Sequence, residues 1–187
     1  MKSKIIILCL VCLFLLTACG QRETTAEPAP DSGSVQIANP WRDVTEDEAK
    51  ALCPRSFGVP EGAENATWHV LDSVADASGV PGSLVQLSFE LDGLDFTARE
   101  QVTGDEEIDN AGMYYDWTVQ DESTLAGWGD GNMSCKLYRF VGEDEYADLC
   151  TWYDVEIGIS YSLSVAAADL DGFDIRAVAE ALYTPAD

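Results

Sequence analysis

Basic residues are scarce in this 187-residue chain: 10 Lys+Arg stand against 34 Asp+Glu, a formal balance of −24, with a single histidine. Phosphate binding needs clustered Lys and Arg that release counterions, so the charge argues against a nucleic-acid partner. It equally argues against electrostatic adhesion to anionic lipid headgroups. One histidine, His69, cannot build a His-rich metal site. No apolar run reaches the length of a membrane span, since the longest, Ile5–Leu16, is too short for one. Neither a βαβ alternation nor an internal repeat is visible, which argues against a parallel doubly wound sheet and against a solenoid. The apolar fraction of 47% is too high for a disordered acidic tail, so the charge sits on the outside of a folded domain. The length suits one domain of ordinary size.

The first residues carry the clearest signal. Met1-Lys2-Ser3-Lys4 is a short basic start, followed by the apolar run and by Leu16-Thr17-Ala18-Cys19. Basic start, short apolar stretch and small residues before a break describe an export signal. The tetrad resembles the lipobox of bacterial lipoproteins. That resemblance implies a diacylglyceryl group on the Cys19 thiol and cleavage before Cys19, leaving residues 1–18 as a discarded signal. Two acyl chains suffice for lasting attachment where one is marginal, so the expected partner is a membrane, held through Cys19 at its extracytoplasmic face. Cleavage removes Lys2 and Lys4 and no acid, leaving 8 basic residues against the same 34 acids, a balance of −26.

Residues 19–38 are polar and rich in Ala, Pro, Ser and Thr, and read as a flexible tether from the acylated cysteine. The domain is expected over 39–187. Thr45 followed by Glu48 forms a capping box for a helix from Glu46 to about Leu52. From Ala66 the period changes to two. Strands are expected at Trp68–Val70, Leu84–Leu91, Leu94–Ala98, Met113–Val119, Cys135–Val141, Ala147–Val155 and Ile159–Val165. Asp92-Gly93 between two alternating runs is a strong hairpin signal, because type I′ turns require positive φ. Asp174 caps a closing helix. The expected class is α+β: an antiparallel meander sheet of about seven strands with a short helix at each end.

Asn39-Pro40-Trp41, Pro60-Glu61-Gly62-Ala63, Gly112-Met113-Tyr114-Tyr115 with Trp117, and Trp152-Tyr153-Asp154 leading to Gly158-Ile159-Ser160-Tyr161-Ser162-Leu163 resemble a family of uncharacterised lipoproteins of Gram-positive bacteria. The final part is also similar to extracellular domains of some anti-sigma-factor proteins. The resemblance implies a lipid-anchored sheet domain and transfers no catalytic residues.

Candidate chemistry is thin. Asp169–Asp174 and Glu90–Gly93 look like calcium loops, but the EF-hand frame puts Ala167 and Val178, or Ser88 and Arg99, where carboxylates are required. No metal or cofactor is expected, and after signal removal no C-x-x-C survives to hold zinc. Asp105, Glu107 and Asp109 offer paired carboxylates for glycan hydrolysis, as does the run Glu143-Asp144-Glu145, although adjacent acids arise readily among 34. His69 reads as a solvent-facing strand histidine, with Ser73 and Cys53 as conceivable catalytic partners outside any known motif. Cys135 and Cys150 fall directly opposite if their hairpin centres between Gly142 and Glu143, which would allow a cross-strand disulfide; pairing with Cys53 stays open. Gly127-Trp128-Gly129-Asp130-Gly131-Asn132 carries a large aromatic on a glycine-rich loop. Its indole either faces a ligand or folds back as a lid on the sheet. The expected ligand surface combines Trp128, Asp130, Asn132, Trp117 and Tyr115, since exposed aromatic rings stack on sugars or fill peptide pockets.

The expected function is a noncatalytic binding or sensor module of the cell envelope. A glycan-acting hydrolase and an accessory role in envelope signalling are the alternatives.

Overall fold

Runs of period-two residues punctuated by glycine turns build one antiparallel sheet. The computed structural model describes residues 39–53, 55–76, 78–129 and 131–183; the expected signal, Cys19 and the expected tether lie outside the described residues. The elements are β1 (Arg42–Val44), α1 (Glu46–Lys50), β2 (Glu64–Ala75), β3 (Pro81–Leu91), β4 (Leu94–Val102), β5 (Val119–Ala126), β6 (Asn132–Val141), β7 (Tyr146–Asp154), β8 (Ile159–Ala167) and α2 (Ile175–Ala181). Strand order across the sheet is β1-β2-β3-β4-β8-β7-β6-β5. The chain therefore meanders through β4, crosses to the far edge through residues 103–118, and walks back to the centre. No helix among the described residues is long and apolar enough to cross a membrane.

Local chemistry explains most turns and caps. Leu91 pairs with Leu94, and the two residues between them take φ values of 53° (Asp92) and 78° (Gly93), as a type I′ turn requires. The Thr45 hydroxyl accepts from the Glu48 amide at 3.2 Å, and the Glu48 carboxylate accepts from the Thr45 amide at 2.9 Å, completing the capping box. Asp174 caps α2 by accepting from the Arg176 amide at 3.1 Å. Gly158 has φ 65°, and a Cβ there would lie 2.6 Å from the Gly104 carbonyl oxygen, so the β7–β8 turn admits no side chain.

Three expectations need correction. There are eight strands, because the short edge strand β1 precedes α1 and carries too few residues to show a period. Met113–Val119 is a loop, and the strand begins where that segment ends. Tyr115 and Trp117 leave the sheet plane to lie over Phe140 and Tyr138, with ring centroids 4.9 and 5.7 Å apart, so their spacing mimics a strand without forming one. The β6–β7 loop is four residues long, closed by Gly142 N–H donating to the Glu145 carbonyl at 2.8 Å, which moves the hairpin centre one residue on. Cys135 consequently pairs with Trp152, and Cys150 with Leu137. The two cysteines are diagonal neighbours on one face, and Cys53, Cys135 and Cys150 are all free buried thiols.

One face of the sheet carries the core. Trp68, Leu87, Phe96, Trp152, Tyr161 and Leu163 are buried there beneath α2, Phe57 and Trp128. This face also holds a polar clasp. Glu100 on β4 is fully buried and accepts from the Ser56 hydroxyl, while its Oε2 has no partner. Tyr161 donates to the Arg55 carbonyl at 2.7 Å, and Arg55 forms an ion pair with buried Asp154. Together these groups tie residues 55–57 down onto the sheet.

Burial pushes the Glu100 carboxyl up to about 8, against which hydrogen bonds from Ser56, Phe57 and Cys53 act only partly. The folded chain thus retains a proton that the unfolded chain releases above its ordinary value of 4.5. This group's contribution to stability is complete below pH 4.5 and is lost as pH rises through about 8. Glu100→Gln abolishes the ionisation, so its stability relative to the parent is expected to rise across that window. Urea midpoints from about pH 5 to about pH 9 check this; parallel curves for the two proteins would contradict it.

Candidate functional site

Among the expected surface residues, Trp128 moves to the interior. It is only 1% exposed, its indole N–H donates to the Ala179 carbonyl at 2.9 Å, and its ring lies edge-on to Trp152 and Tyr161, each with centroids 5.0 Å apart. The glycines around it serve this inward fold: Gly127 and Gly129 adopt φ 85° and 59°, and Gly127 N–H donates to Gly131 O at 2.7 Å. The loop is therefore a lid that plugs the core, and Trp128 is withdrawn from any ligand. Asn132 is exposed at the start of β6, and Asp130 lies outside the described residues.

Tyr115 and Trp117 meet on the opposite face of the sheet. Strand alternation points Cys135, Leu137 and Arg139 of β6 at the core side, leaving Lys136, Tyr138 and Phe140 on the other. Tyr115 and Trp117 contact each other, with centroids 5.4 Å apart, and cover Phe140 and Tyr138. The four half-buried rings form a continuous aromatic strip. Tyr115 donates from its hydroxyl to Glu145 at 3.2 Å, and partial desolvation with that carboxylate beside it raises its phenol pKa.

Polar groups border the strip. A cavity of about 270 Å³ is lined by Trp117, Tyr138, Leu149, Thr151, Lys136 and Glu107. Lys136 binds Glu107 at 2.6 Å, which holds the ammonium pKa above its ordinary value. A wider groove of about 610 Å³ shares Glu107, Lys136 and Thr151 and runs on to Tyr153 and Thr124. Flat aromatic faces beside one cation, one carboxylate and hydroxyls suit binding by stacking with a few hydrogen bonds.

The crossover segment makes this surface. Ile108 N–H donates to the Ser160 hydroxyl at 2.9 Å, and the Asn110 side-chain amide donates to the Ser160 carbonyl at 2.9 Å. Arg99 donates to the carbonyls of Asn110 and Ala111 at 3.2 and 2.6 Å, and its guanidinium also lies 5.2 Å from the Trp41 ring centre. Burial lowers the Arg99 pKa, which acceptors on several sides offset.

The other candidate residues have structural partners. Asp109 accepts from the Ala111 amide at 3.0 Å, as an Asx turn does, and Glu107 is bound to Lys136. His69 sits between Asp43, at 2.9 Å from Nδ1, and Thr67, at 3.1 Å from Nε2. This has the outline of an oriented imidazole on a hydroxyl, but Asp43 is 93% exposed and the group links β1 to β2 at the sheet edge. Ser73 and Cys53 are not its partners. No group of three or more His, Cys, Asp or Glu side chains that could hold a metal occurs among the described residues.

Tyr138, Phe140 and Lys136 were not singled out from the sequence. Their signal was the alternation within Cys135–Val141, which places one lysine and two aromatics on a single side. Comparison with protein-family models, with curated proteins and with solved structures finds no match.

The two tryptophans should separate cleanly. Trp128→Ala is expected to destabilise the fold by about 3–5 kcal/mol, as for a fully buried aromatic, whereas Trp117→Ala should cost under about 1.5 kcal/mol, the scale of its ring contacts. Denaturant unfolding of both variants checks the contrast, and equal losses would contradict it.

Proposed function

We propose that the chain is a lipid-anchored extracytoplasmic lipoprotein whose sheet domain is a noncatalytic binding or sensor module of the cell envelope. The anchor rests on Leu16-Thr17-Ala18-Cys19 behind a basic start and an apolar run. The binding role rests on the aromatic strip of Tyr115, Trp117, Tyr138 and Phe140 and on the cavity beside it. A strip of four rings on one face is more than the sheet needs on that side, because the core is filled from the other face by Trp128, Trp152 and Tyr161. The ligand class this favours presents flat, weakly polar faces with hydroxyls, as envelope sugars do. Lys136, Glu107 and Thr151 supply donors and acceptors at the rim.

The acidity suits this setting. With a mature balance of −26, the domain is repelled from anionic headgroups, so attachment depends on the lipid alone and the domain stands off the surface. Asp105, Glu107 and Asp109 would carry the alternative, glycan hydrolysis, and their variants separate the two readings.

Two measurements test the proposal. Mass spectrometry of the mature protein is expected to find an N-terminal Cys19 with acyl chains attached, and an unmodified Cys19 would overturn the anchor. Titration of the full chain with soluble cell-wall glycan fragments, followed by tryptophan fluorescence, is expected to show binding that Trp117→Ala weakens at least about tenfold, the effect of losing one good stacking contact. Turnover of those fragments, abolished by alanine at Glu107 or Asp109, would overturn the noncatalytic reading.

A further inference from the structure

The sheet has two edges of unequal character. On one side β1 is only three residues long; on the other, β5 runs for eight. Ladder geometry decides what the β5 edge offers. Gly127 N–H donates to Gly131 O, in the same register as Leu125 with Met133 and Ser123 with Cys135. Odd-numbered residues of β5 therefore spend their backbone groups on β6, and even-numbered ones point theirs away from the sheet. At one end the outward Ala126 N–H is met by the Glu180 carboxylate at 2.8 Å. The outward groups of Gln120, Glu122 and Thr124 have no such partner among the described residues.

Two grooves flank this same strand. One of about 480 Å³ lies on the core side, lined by Asp121, Ser123, Leu137, Phe173, Asp174 and Arg176. The other, of about 610 Å³, lies on the opposite side and includes Glu122, Thr124, Ser134, Lys136 and Thr151. A strand added at a sheet edge sends successive side chains to opposite faces, so it would place one set in each groove.

Charge selects the occupant. Arg139, Arg176 and Lys136 are bound to Asp148, Asp174 and Glu107, whereas Asp121 and Glu122 form no ion pair among the described residues. A second copy of this chain would bring these carboxylates against their own kind and −24 against −24. A Lys-rich segment meets the opposite field, and its aliphatic stems have Leu137 and Phe173 to lie on.

We propose that the free edge of β5 is a binding site for a basic, extended peptide segment, which joins the sheet as a ninth strand. The site shares Lys136 and Thr151 with the rim of the aromatic strip but makes no use of its rings.

The probe is the heptapeptide acetyl-Lys-Val-Lys-Val-Lys-Val-Lys-amide, titrated into the full chain in detergent micelles. Hydrogen exchange read by mass spectrometry is expected to slow in fragments covering 119–126 and to stay unchanged in those covering β1 and β2. Reversing charge at the edge, Asp121→Lys with Glu122→Lys, should weaken binding at least about tenfold. The same reversal at the other side of the sheet, Glu61→Lys with Glu64→Lys, should leave it within about twofold. Thr124→Pro deletes one outward N–H without touching the β6 ladder, so it should weaken binding with little change in melting temperature. Trp117→Ala should leave peptide affinity unchanged, which keeps this test separate from the sugar-binding one. Equal weakening by both charge reversals, or binding without protection at 119–126, would reduce the interaction to diffuse electrostatics and overturn the proposal. So would absence of binding at millimolar peptide.

Discussion

Strand β8 is buried along almost its whole length on both faces, and the rest of the domain is arranged to permit this. Ile159, Tyr161, Leu163 and Val165 face the core, while Ser160, Ser162 and Ser164 face the other side and are also excluded from water. Buried hydroxyls and backbone groups need partners, so the second face cannot be left bare. The crossover from β4 to β5 supplies the cover. It places Thr103 and the Ile108 amide on the Ser160 hydroxyl and Asn110 on the Ser160 carbonyl. In doing so it carries Tyr115 and Trp117 across β7 and β6. The aromatic strip lies where this covering segment runs out over β6.

Scarcity of bases shapes the electrostatics. The described domain holds seven Lys and Arg residues, and each has an internal partner. Arg55 and Arg139 pair with the buried carboxylates Asp154 and Asp148, and Arg99 spends its donors on Gln86 and two carbonyls. Lys50, Lys136, Arg42 and Arg176 pair with exposed or half-exposed acids, where water and salt screen the attraction. The two buried pairs act differently: breaking one would strand a charge in the interior, so they specify where residues 55–57 and the α2 approach must sit. With the bases thus engaged, the acidity of the exposed loops is left uncompensated. The outward field follows from the excess of 34 acids over 10 bases.

Legibility in the sequence tracked the range of the forces. The Asp92-Gly93 turn, the Thr45–Glu48 capping box and the Asp174 cap depend on residues a few positions apart, and all three stand in the structure as read. The alternation of β3, β4, β7 and β8 was visible because a face buried on one side imposes its period on the chain. β5 was not, because an edge strand with only Leu125 fully buried has no apolar alternation to show. Met113–Val119 misled for the converse reason: its aromatics are spaced as in a strand but are bound to another strand's outer face. The expected direct opposition of Cys135 and Cys150 missed by the position of the hairpin centre, since moving that centre by one residue shifts every cross-strand partner by two.

What the sequence determined alone was chemical inventory and local geometry: an excess of acid, an antiparallel α+β class, and turns that close where glycine permits positive φ. What only the tertiary structure decided was direction. Trp128 faces inward because a Phe57–Trp152–Tyr161 pocket and the Ala179 carbonyl await it, and Trp117 faces outward because its segment is laid over β8 and leaves it on β6. Glu100 is a buried acid only because residues 55–57 close over β4. In each case the residue type was plain from the sequence. Which side of the sheet it serves depends on partners far away in the chain, which local spacing does not encode.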